Sequence, residues 1–301
     1  TGKLNLSKVS SFVLSVDFIP MLGLTLLGML FASERWRILL ASQEIHTTWW
    51  KAFQLSMIGN FFNFAMPGGV GGDFIKAYYC SRDHSHHKMG SVTSVLMDRV
   101  LGLFVMSVMA LIVMVLDLRH VLSRPTLSKL FVFLCALVLG FCIAFYLIFS
   151  KKLRESGVID RTLNRLPLAS KLVHAYHTLH FFANSRRILA FAGLVSLVSQ
   201  CVAVLVLYFV GVEFAHGMNL SLATFFIVAP LGFMATAIPI SPAGVGIGQA
   251  AFFFLFNEYL GYESDLGSVV ITTYQIAQFI LSLSGAIFNL ARKNHGTDLP
   301  A

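Results

Sequence analysis

The sequence predicts an all-α polytopic membrane protein, and three observations support this prediction. The chain has 301 residues, of which 56% are hydrophobic and only 12% charged, and its mean hydropathy is +0.76. Soluble globular proteins have about 25% charged residues. The apolar residues also form runs of about 20 or more, the length that a helix needs to cross the hydrocarbon. A water-soluble single domain is therefore excluded.

Five apolar runs are long and uninterrupted, and each predicts one full span. In chain order they are Phe12 to Ala32, Val92 to Leu116, Leu130 to Phe149, Ile188 to Val210 and Ser268 to Leu290. Because the chain opens at Thr1 rather than Met, we expect a further span upstream of the first.

Two other apolar regions, Thr47 to Tyr79 and Leu220 to Tyr259, are each interrupted by a stretch rich in Gly and Pro. The interruptions are residues 66–72 and 239–248, and each region therefore predicts a helix, a break and a second helix. The five-residue stretches that begin at Pro67 and at Pro242 match at four positions, 175 residues apart. This similarity predicts an internal repeat.

The basic residues predict the orientation, because short cytoplasmic loops collect Lys and Arg. Residues 151–187 hold eight of the 22 basic residues, and the tail holds Arg292 and Lys293, so both segments are expected in the cytoplasm. The flanks of each interrupted region then lie on one side of the membrane, inside for the first and outside for the second. Both regions should be re-entrant hairpins that enter from opposite faces, which is typical of inverted-repeat transporters.

The whole chain, 1–301, is expected to form one integral membrane domain. It divides into a first half at about 1–149, an interfacial linker at 150–187 and a second half at about 188–292. Within the linker, residues 171–182 have apolar residues at helical spacing and predict an amphipathic helix on the membrane surface. The net charge of +8 is explained by orientation, because the basic residues lie in short loops rather than on a nucleic-acid-binding face.

The first break is a candidate anion site. Bare backbone N–H groups in such a turn can form a concave nest, and the N-terminus of the following helix adds partial positive charge. The residues concerned are Pro67, Gly68, Gly69, Gly71, Gly72, Asp73 and Lys76. The structural alternative is that the glycines permit a tight turn and close helix packing while Asp73 caps the helix. The second break, with Pro242, Gly244, Gly246 and Gln249, lacks charge, so its role is expected to be geometric.

Asp98 and Arg99 lie inside an apolar helix, where ionisable side chains are costly and indicate function by default. Because neighbours on a helix point about 100° apart, we expect Arg99 to face a substrate cavity as a phosphate partner while Asp98 pairs with Lys76 or Arg35. The alternative is a purely structural ion pair. Arg35 and Arg37 flank Trp36 and are expected at the cytoplasmic entrance, or alternatively serve only to anchor the topology. All three tryptophans are expected in an interfacial belt.

Other motifs carry weaker predictions. The segment from Asp83 to His87 contains three histidines without metal-ligand spacing and is interpreted as a solvated loop. The four cysteines fall in or beside apolar runs and are interpreted as small hydrophobic residues. Asp17 is interpreted as an intramembrane carboxylate, with a position near the outer interface beside Lys8 as the alternative. No nucleotide-binding loop, nucleophile elbow or zinc motif is present in the sequence, so we expect no cofactor, no bound metal and no catalytic activity.

Four ordered motifs together carry a family resemblance. They are Arg35-Trp36-Arg37, the stretch 59–63 leading into 67–73, Val95-Leu96-Met97-Asp98-Arg99, and the stretch 239–246. The chain resembles the flippase-like membrane domain family typified by the transmembrane region of lysylphosphatidylglycerol synthetase, the multiple peptide resistance factor. This resemblance implies a bacterial or archaeal protein that moves a lipid across the bilayer. Only eleven residues follow Leu290, so we expect no aminoacyl-transferase domain and do not carry over the lysyl-lipid substrate.

These observations predict a flippase or scramblase-like transporter in the cytoplasmic membrane, with its C-terminus in the cytoplasm. Its substrate would be an anionic phospholipid or a lipid-linked sugar headgroup, its partners would be membrane lipids and not nucleic acid, and it could form a homo-oligomer. A membrane-embedded lipid-modifying transferase, or an accessory subunit of one, is the alternative. A channel is less well supported, because the sequence shows no ring of carbonyls or charges for ion selection.

Overall fold

The computed structural model describes residues 5–66, 71–150, 155–156, 182, 185–215, 220–238 and 240–295, with side chains described as far as Arg292. This part of the chain is all-helical, as predicted, and contains eleven α-helices. They are α1 (Leu6–Val13), α2 (Phe18–Ala41), α3 (Trp49–Ala65), α4 (Gly71–Asp83), α5 (Lys88–Leu116), α6 (Leu118–Ser123), α7 (Pro125–Phe149), α8 (Arg186–Phe214), α9 (Leu222–Thr236), α10 (Ile247–Leu260) and α11 (Leu266–His295). Short 3₁₀ turns occupy Ser85–His87 and Pro242–Gly244.

Five of these helices, α2, α5, α7, α8 and α11, are long and apolar enough to cross a membrane. They correspond in order to the five uninterrupted apolar runs of the sequence, so the predicted number of long spans is confirmed. The predicted surface helix at 171–182 lies outside the described residues, apart from Phe182. The same holds for most of the predicted linker.

The predicted boundaries of the first span were wrong at both ends. The chain turns between α1 and α2, and Asp17 lies in this turn just before α2 rather than inside a span. At the other end the helix continues past Ala32 to Ala41, through Glu34, Arg35 and Arg37. These charges can be accommodated in the helix because each has a partner: Arg37 pairs with Glu34, and Arg35 pairs with Asp98 on α5.

Both interrupted regions form a helix, a break and a second helix, as predicted. The first is α3 and α4, and the second is α9 and α10 with the 3₁₀ turn between them. These helices have 17, 13, 15 and 14 residues. At 1.5 Å per residue the longest is about 25 Å, which is shorter than a hydrocarbon core of about 30 Å.

Each hairpin begins and ends at one end of the bundle. At the open end of the first, Lys51 Nζ in α3 lies 2.9 Å from Asp83 Oδ2 in α4. At the open end of the second, the rings of Phe225 in α9 and Phe256 in α10 lie 5.1 Å apart. The hairpins open toward opposite ends, because α5 begins just after Asp83 and its far end contacts the second hairpin. We call these the Asp83 end and the Asp117 end. Re-entrance of the hairpins within a bilayer stays a prediction.

The helices of the first half pack on their neighbours in the same way as the helices of the second half. When α2, α3, α4 and α5 are exchanged for α8, α9, α10 and α11, the principal packing pairs map onto one another. Thus α3 packs on α11 while α9 packs on α5, and α2 packs on α3 while α8 packs on α9. The pair of α2 and α8 maps onto itself, and in this contact Ser199 Oγ of α8 donates to Gly28 O of α2 at 2.9 Å. An inverted repeat would produce this pattern, and the repeat itself stays a prediction.

The second break lies near the end of α3 that leads into the first. Gln275 Nε2 on α11 donates to Ala243 O in the second break at 3.2 Å. One turn further along α11, the ring of Phe279 lies 5.5 Å from that of Phe64 on α3. The two broken regions therefore approach each other along one face of α11.

Two glycines allow close helix packing. A Cβ added to Gly285 on α11 would lie 2.1 Å from Met57 O on α3, and one added to Gly72 would lie 1.7 Å from Gly59 O. Small residues at such contacts let helix backbones approach closely, which is a principal source of attraction between helices in lipid.

We expect Gly285→Ala to destabilise the bundle by about 1 to 3 kcal/mol, because the added methyl group overlaps the backbone of α3. Gly140→Ala is the matched control, since nothing lies within 4 Å of a Cβ at that position of α7. Thermal unfolding of both variants in detergent measures the difference. Equal midpoints for the two variants would contradict this account of the α3–α11 contact.

Candidate functional site

Five ionisable side chains on three helices form a charge cluster inside the bundle. They are Arg35 on α2, Asp73 and Lys76 on α4, and Asp98 and Arg99 on α5. Asp98 lies ten residues after the start of α5 and Arg35 six residues before the end of α2. At 1.5 Å per residue these are about 15 Å and 9 Å from the Asp83 end of their helices. The cluster therefore lies about two to three helical turns in from these helix ends.

Asp98 is the centre of this cluster. Arg35 Nε donates to Asp98 Oδ1 at 2.7 Å, and Lys76 Nζ lies 3.8 Å from Asp98 Oδ2. Only 9% of the residue is exposed. The predicted partners of Asp98 are therefore both present at once, and one carboxylate joins α2, α4 and α5.

The guanidinium of Arg35 also reaches the second half of the chain. Its Nη1 donates to Ser196 Oγ on α8 at 2.8 Å. Gly102 on α5 leaves room for it, because a Cβ there would lie 3.3 Å from Nη1. Gln200, one turn beyond Ser196, donates to Gly102 O at 3.0 Å. The two halves are thus joined by hydrogen bonds beside the cluster.

The indole ring of Trp36 packs against the ammonium group of Lys76. The Nζ of Lys76 lies 3.9 Å from the centre of the indole ring, and Trp36 Nε1 donates to Ser94 Oγ at 3.2 Å. Trp36 has no exposed surface, so its predicted place in an interfacial belt was wrong. A cation over a desolvated tryptophan gains about 2 kcal/mol, which helps to hold the ammonium group inside the bundle.

Arg99 points away from Asp98, as helix geometry predicts for neighbouring residues. Its Nε donates to Asp73 Oδ2 at 2.6 Å, and 45% of its side chain is exposed. Asp73 is thus the ion-pair partner of Arg99. The pair bridges α4 and α5 at the outer edge of the cluster.

The cluster has a net positive charge. With all five groups ionised, three cations face two carboxylates, which leaves one positive charge in excess. Arg and Lys are the side chains that bind phosphate most strongly, through charge-assisted hydrogen bonds. Electrostatically, the arrangement can hold one monovalent anion.

The structure places only part of the predicted nest of the first break. Pro67, Gly68 and Gly69 lie outside the described residues, whereas α4 begins at Gly71. The N–H of Gly72 donates to Asn63 Oδ1 at 3.0 Å, and its Cα lies against Gly59. Gly72 thus follows the structural alternative of close helix packing.

The second break is built from neutral groups. Gly244 and Gly246 have positive φ angles of 72° and 89°. Gln249 Oε1 accepts from Gly246 N at 2.6 Å, and its Nε2 donates to Gln275 Oε1 at 2.7 Å. Pro242 opens the 3₁₀ turn. These contacts hold the shape of the break, and its residues do not join the charge cluster.

Arg37 also lies apart from the cluster. Its Nε and Nη2 form a double hydrogen bond with the carboxylate of Glu34 on the same helix, both at 2.7 Å. The expectation that Arg35 and Arg37 act together at an entrance was wrong, because Arg35 turns into the bundle toward Asp98. Residues 34 and 37 are one helical turn apart, so this pair is local.

Sequence reasoning missed Ser196 and Gln200. They are spaced by four residues on α8 and therefore share one helix face. Paired polar side chains on an otherwise apolar span are a recognisable signal, because such groups hydrogen-bond to neighbouring helices. The hydrogen bond between Trp36 and Ser94 has no comparable signal in the sequence.

Asp83 belongs to an ion-pair network rather than to a solvated loop. It pairs with Lys51 of α3 and with Arg292 of α11. Within the described part of the chain, no three His, Cys, Asp or Glu side chains converge as a metal site. The histidines that follow Asp83 lie in and around the first 3₁₀ turn.

We expect Asp98→Asn to destabilise the protein by about 3 to 5 kcal/mol, because it leaves Arg35 and Lys76 facing each other without a counter-charge inside the bundle. Glu34→Gln is the matched control, since it breaks a partly exposed pair worth about 0 to 1 kcal/mol. Thermal unfolding in detergent compares the two. A larger loss for Glu34→Gln would show that Asp98 is not the central contact.

The sequence was compared with known protein families and proteins. The family model described as the lysylphosphatidylglycerol synthase TM region matches residues 1–285. No curated protein and no solved structure matches the chain. The family match covers nearly the whole chain, including both hairpins and the charge cluster, and it agrees with the motif resemblance. The chain therefore belongs to the lysylphosphatidylglycerol synthase transmembrane-region family.

Proposed function

We propose that the protein is a lipid transporter of the flippase or scramblase type. Its substrate is an anionic phospholipid or a lipid-linked sugar headgroup, which crosses the cytoplasmic membrane while the acyl or prenyl tails stay in the bilayer. The C-terminus faces the cytoplasm, because the sequence has most of its Lys and Arg residues in loops predicted to lie on the same side of the membrane as the C-terminus. The family match supports a membrane function related to lipids, and the charge cluster supports the finer assignment.

The observation that carries the proposal is the excess positive charge inside the bundle. Ionisable residues among membrane helices are rare and mark substrate paths. The cluster contacts residues of both halves, through the hydrogen bond of Arg35 to Ser196. A phosphate bound to this cluster would balance the excess charge.

The alternative of a lipid-modifying transferase has weaker support. A general acid or base needs a carboxyl group free to exchange protons with substrate or water. Asp98 is buried between Arg35 and Lys76, and Asp73 is paired with Arg99. Ion pairing favours a fixed charge over proton exchange, so we propose that neither carboxylate is catalytic.

At each end of the bundle, polar contacts join one hairpin to the end of the long helix from the other half, and we call each set of contacts a latch. At the Asp83 end, Arg292 of α11 pairs with Asp83, and Tyr79 donates to Asn289 Oδ1 at 2.7 Å. At the Asp117 end, Tyr259 of α10 donates to Asp117 Oδ2 at 2.6 Å, just past α5. Two latches at opposite ends suit a transporter that opens one side at a time.

The latch at the Asp83 end is an ionic one. Burial raises the pKa of the Asp83 carboxyl, but the hydrogen bonds and charges of Arg292 and Lys51 lower it by more. The pKa therefore lies below its ordinary value. A carboxyl of this kind contributes stability above its unfolded pKa of about 3.9 and loses it as the pH falls through the lower folded value. The latch therefore stays ionised at neutral pH.

Proteoliposomes with fluorescent lipids test the proposed function. We expect the wild type to move a headgroup-labelled anionic lipid between leaflets, and Arg99→Gln to slow this movement by roughly tenfold or more, the equivalent of about 1.4 kcal/mol. Arg37→Gln is the matched control, because it removes one arginine outside the cluster and should leave the rate unchanged. Correct folding of both variants is checked by thermal unfolding.

The result of the same assay can contradict the proposal in two ways. Wild-type protein that leaves the lipid distribution unchanged argues against transport. A covalently altered lipid, found by mass spectrometry, supports the transferase instead.

Labelling of Cys80 tests the two latches. This cysteine is buried in α4, one turn before the Asp83 latch. In a background with the other three cysteines replaced by Ser, we expect Arg292→Gln to open the Asp83 end and to speed labelling by a water-soluble maleimide. Tyr259→Phe should favour opening of the opposite end and slow the labelling. If both variants change the rate in the same direction, the latches do not oppose each other.

A further inference from the structure

Resting on the proposed function, we propose that the seam between α4 and α5 is a lateral binding site for a phospholipid with one negative charge. In this site the lipid phosphodiester takes the place of Asp73 on the guanidinium of Arg99. The lipid thus reaches the charge cluster sideways from the bilayer rather than through either end of the bundle.

Exposed apolar side chains lie on both helices of the seam. Its exposed side chains come from one face of α4 and one face of α5: Phe74, Tyr78, Val92 and Leu96. The spacings 74 to 78 and 92 to 96 place each pair on a single helix face. This surface is therefore suited to contact acyl chains alongside both helices.

Arg99 continues the exposed face of α5. It follows Leu96 by three residues and lies about 16 Å along the helix from Lys88, at 1.5 Å per residue. With 45% of its side chain exposed, its charge borders an apolar surface at this depth. An exposed cation among lipid-facing side chains attracts an anionic lipid group, because little water is present to solvate it.

The contact with Asp73 leaves part of the guanidinium accessible. Arg99 uses Nε for this contact, and a guanidinium carries five N–H donors in all. A phosphodiester can therefore approach the outer N–H groups before Asp73 leaves. The side chain of Asp73 is 22% exposed and that of Arg99 is 45% exposed. An incoming anion would therefore meet the exposed side of the guanidinium first.

Charge balance selects the lipid class. The cluster carries one positive charge in excess, so one phosphodiester makes it neutral. A pyrophosphate-linked lipid carries more negative charge and would leave a net negative site. A zwitterionic lipid brings no net charge and leaves the excess in place.

Photo-crosslinking in vesicles of phosphatidylcholine and phosphatidylglycerol tests the site. In separate samples, one of the two lipids carries a diazirine on the acyl carbons near the glycerol, and crosslinked peptides are mapped by mass spectrometry. We expect phosphatidylglycerol to be enriched over phosphatidylcholine by roughly tenfold at Leu96, the equivalent of about 1.4 kcal/mol.

Leu194 on α8 is the matched control position. It lies eight residues from the start of its helix, as does Leu96, and the two are 60% and 51% exposed. We expect little difference between the two lipids at Leu194. Equal crosslinking of both lipids at Leu96, or a preference for phosphatidylcholine there, would overturn the proposal.

Three variants separate binding from folding. Arg99→Gln should abolish the lipid preference at Leu96, whereas Asp73→Asn should increase it, because the competing carboxylate is gone. The double variant with both substitutions removes the pair as a unit, leaves no unpaired partner, and should also lack the preference. A preference that survives in the folded double variant would show that Arg99 does not bind the lipid.

The two proposals can fail separately. If the lipid preference at Leu96 depends on Arg99 but no lipid crosses the membrane, the seam is a binding site and transport is refuted. If lipid crosses the membrane while Leu96 shows no preference, transport stands and the lateral site is refuted.

Discussion

The ion pairs of Asp98 are the constraint on which the rest of the structure depends. A carboxylate inside a helical bundle is tolerated only with close counter-charges, because its desolvation is costly. Arg35 and Lys76 provide them and thereby fix the relative positions of α2, α4 and α5. The same constraint decides the length of α2, which can continue through charged residues because Arg35 reaches Asp98.

Once Asp98 is satisfied, the other charges take distinct roles. Lys76 lies over Trp36 and is closed off inside the bundle, whereas Arg99 lies at the outer edge with Asp73. Two adjacent residues of α5 therefore face different surroundings, one structural and one accessible. This separation reconciles the two interpretations of the Asp98–Arg99 motif, since a structural ion pair and a candidate ligand group lie side by side.

The sequence was sufficient to predict the class of fold, the number of long spans and both broken regions. These features depend on hydrophobic length and on Gly-Pro breaks, which are local properties. The pairing of Asp98 was predictable because few counter-charges exist among apolar helices. The burial of Trp36 and the contact of Arg35 with Ser196 were not, because they depend on how α2 crosses α5 and α8. The C-terminal end of the first span was misplaced for a similar reason: hydropathy treats Glu34, Arg35 and Arg37 as exposed charges, whereas ion pairs neutralise them.

The two halves pack alike but differ in chemistry. The first break leads into a helix that bears Asp73 and Lys76, whereas the second is held by the amides of Gln249 and Gln275. A site that binds an anion strongly at both ends of its path would release it slowly, because each transfer would have to break an ion pair. In the proposed transporter, a headgroup would meet one strong site in the half with charged groups and one weak site in the half with neutral hydrogen-bonding groups. For a transporter, such asymmetry means that the substrate does not have to dissociate from two sites of equally high affinity. In the transporter proposed above, the similar packing would allow the two-sided motion, and the unequal chemistry would keep the substrate from being held too tightly.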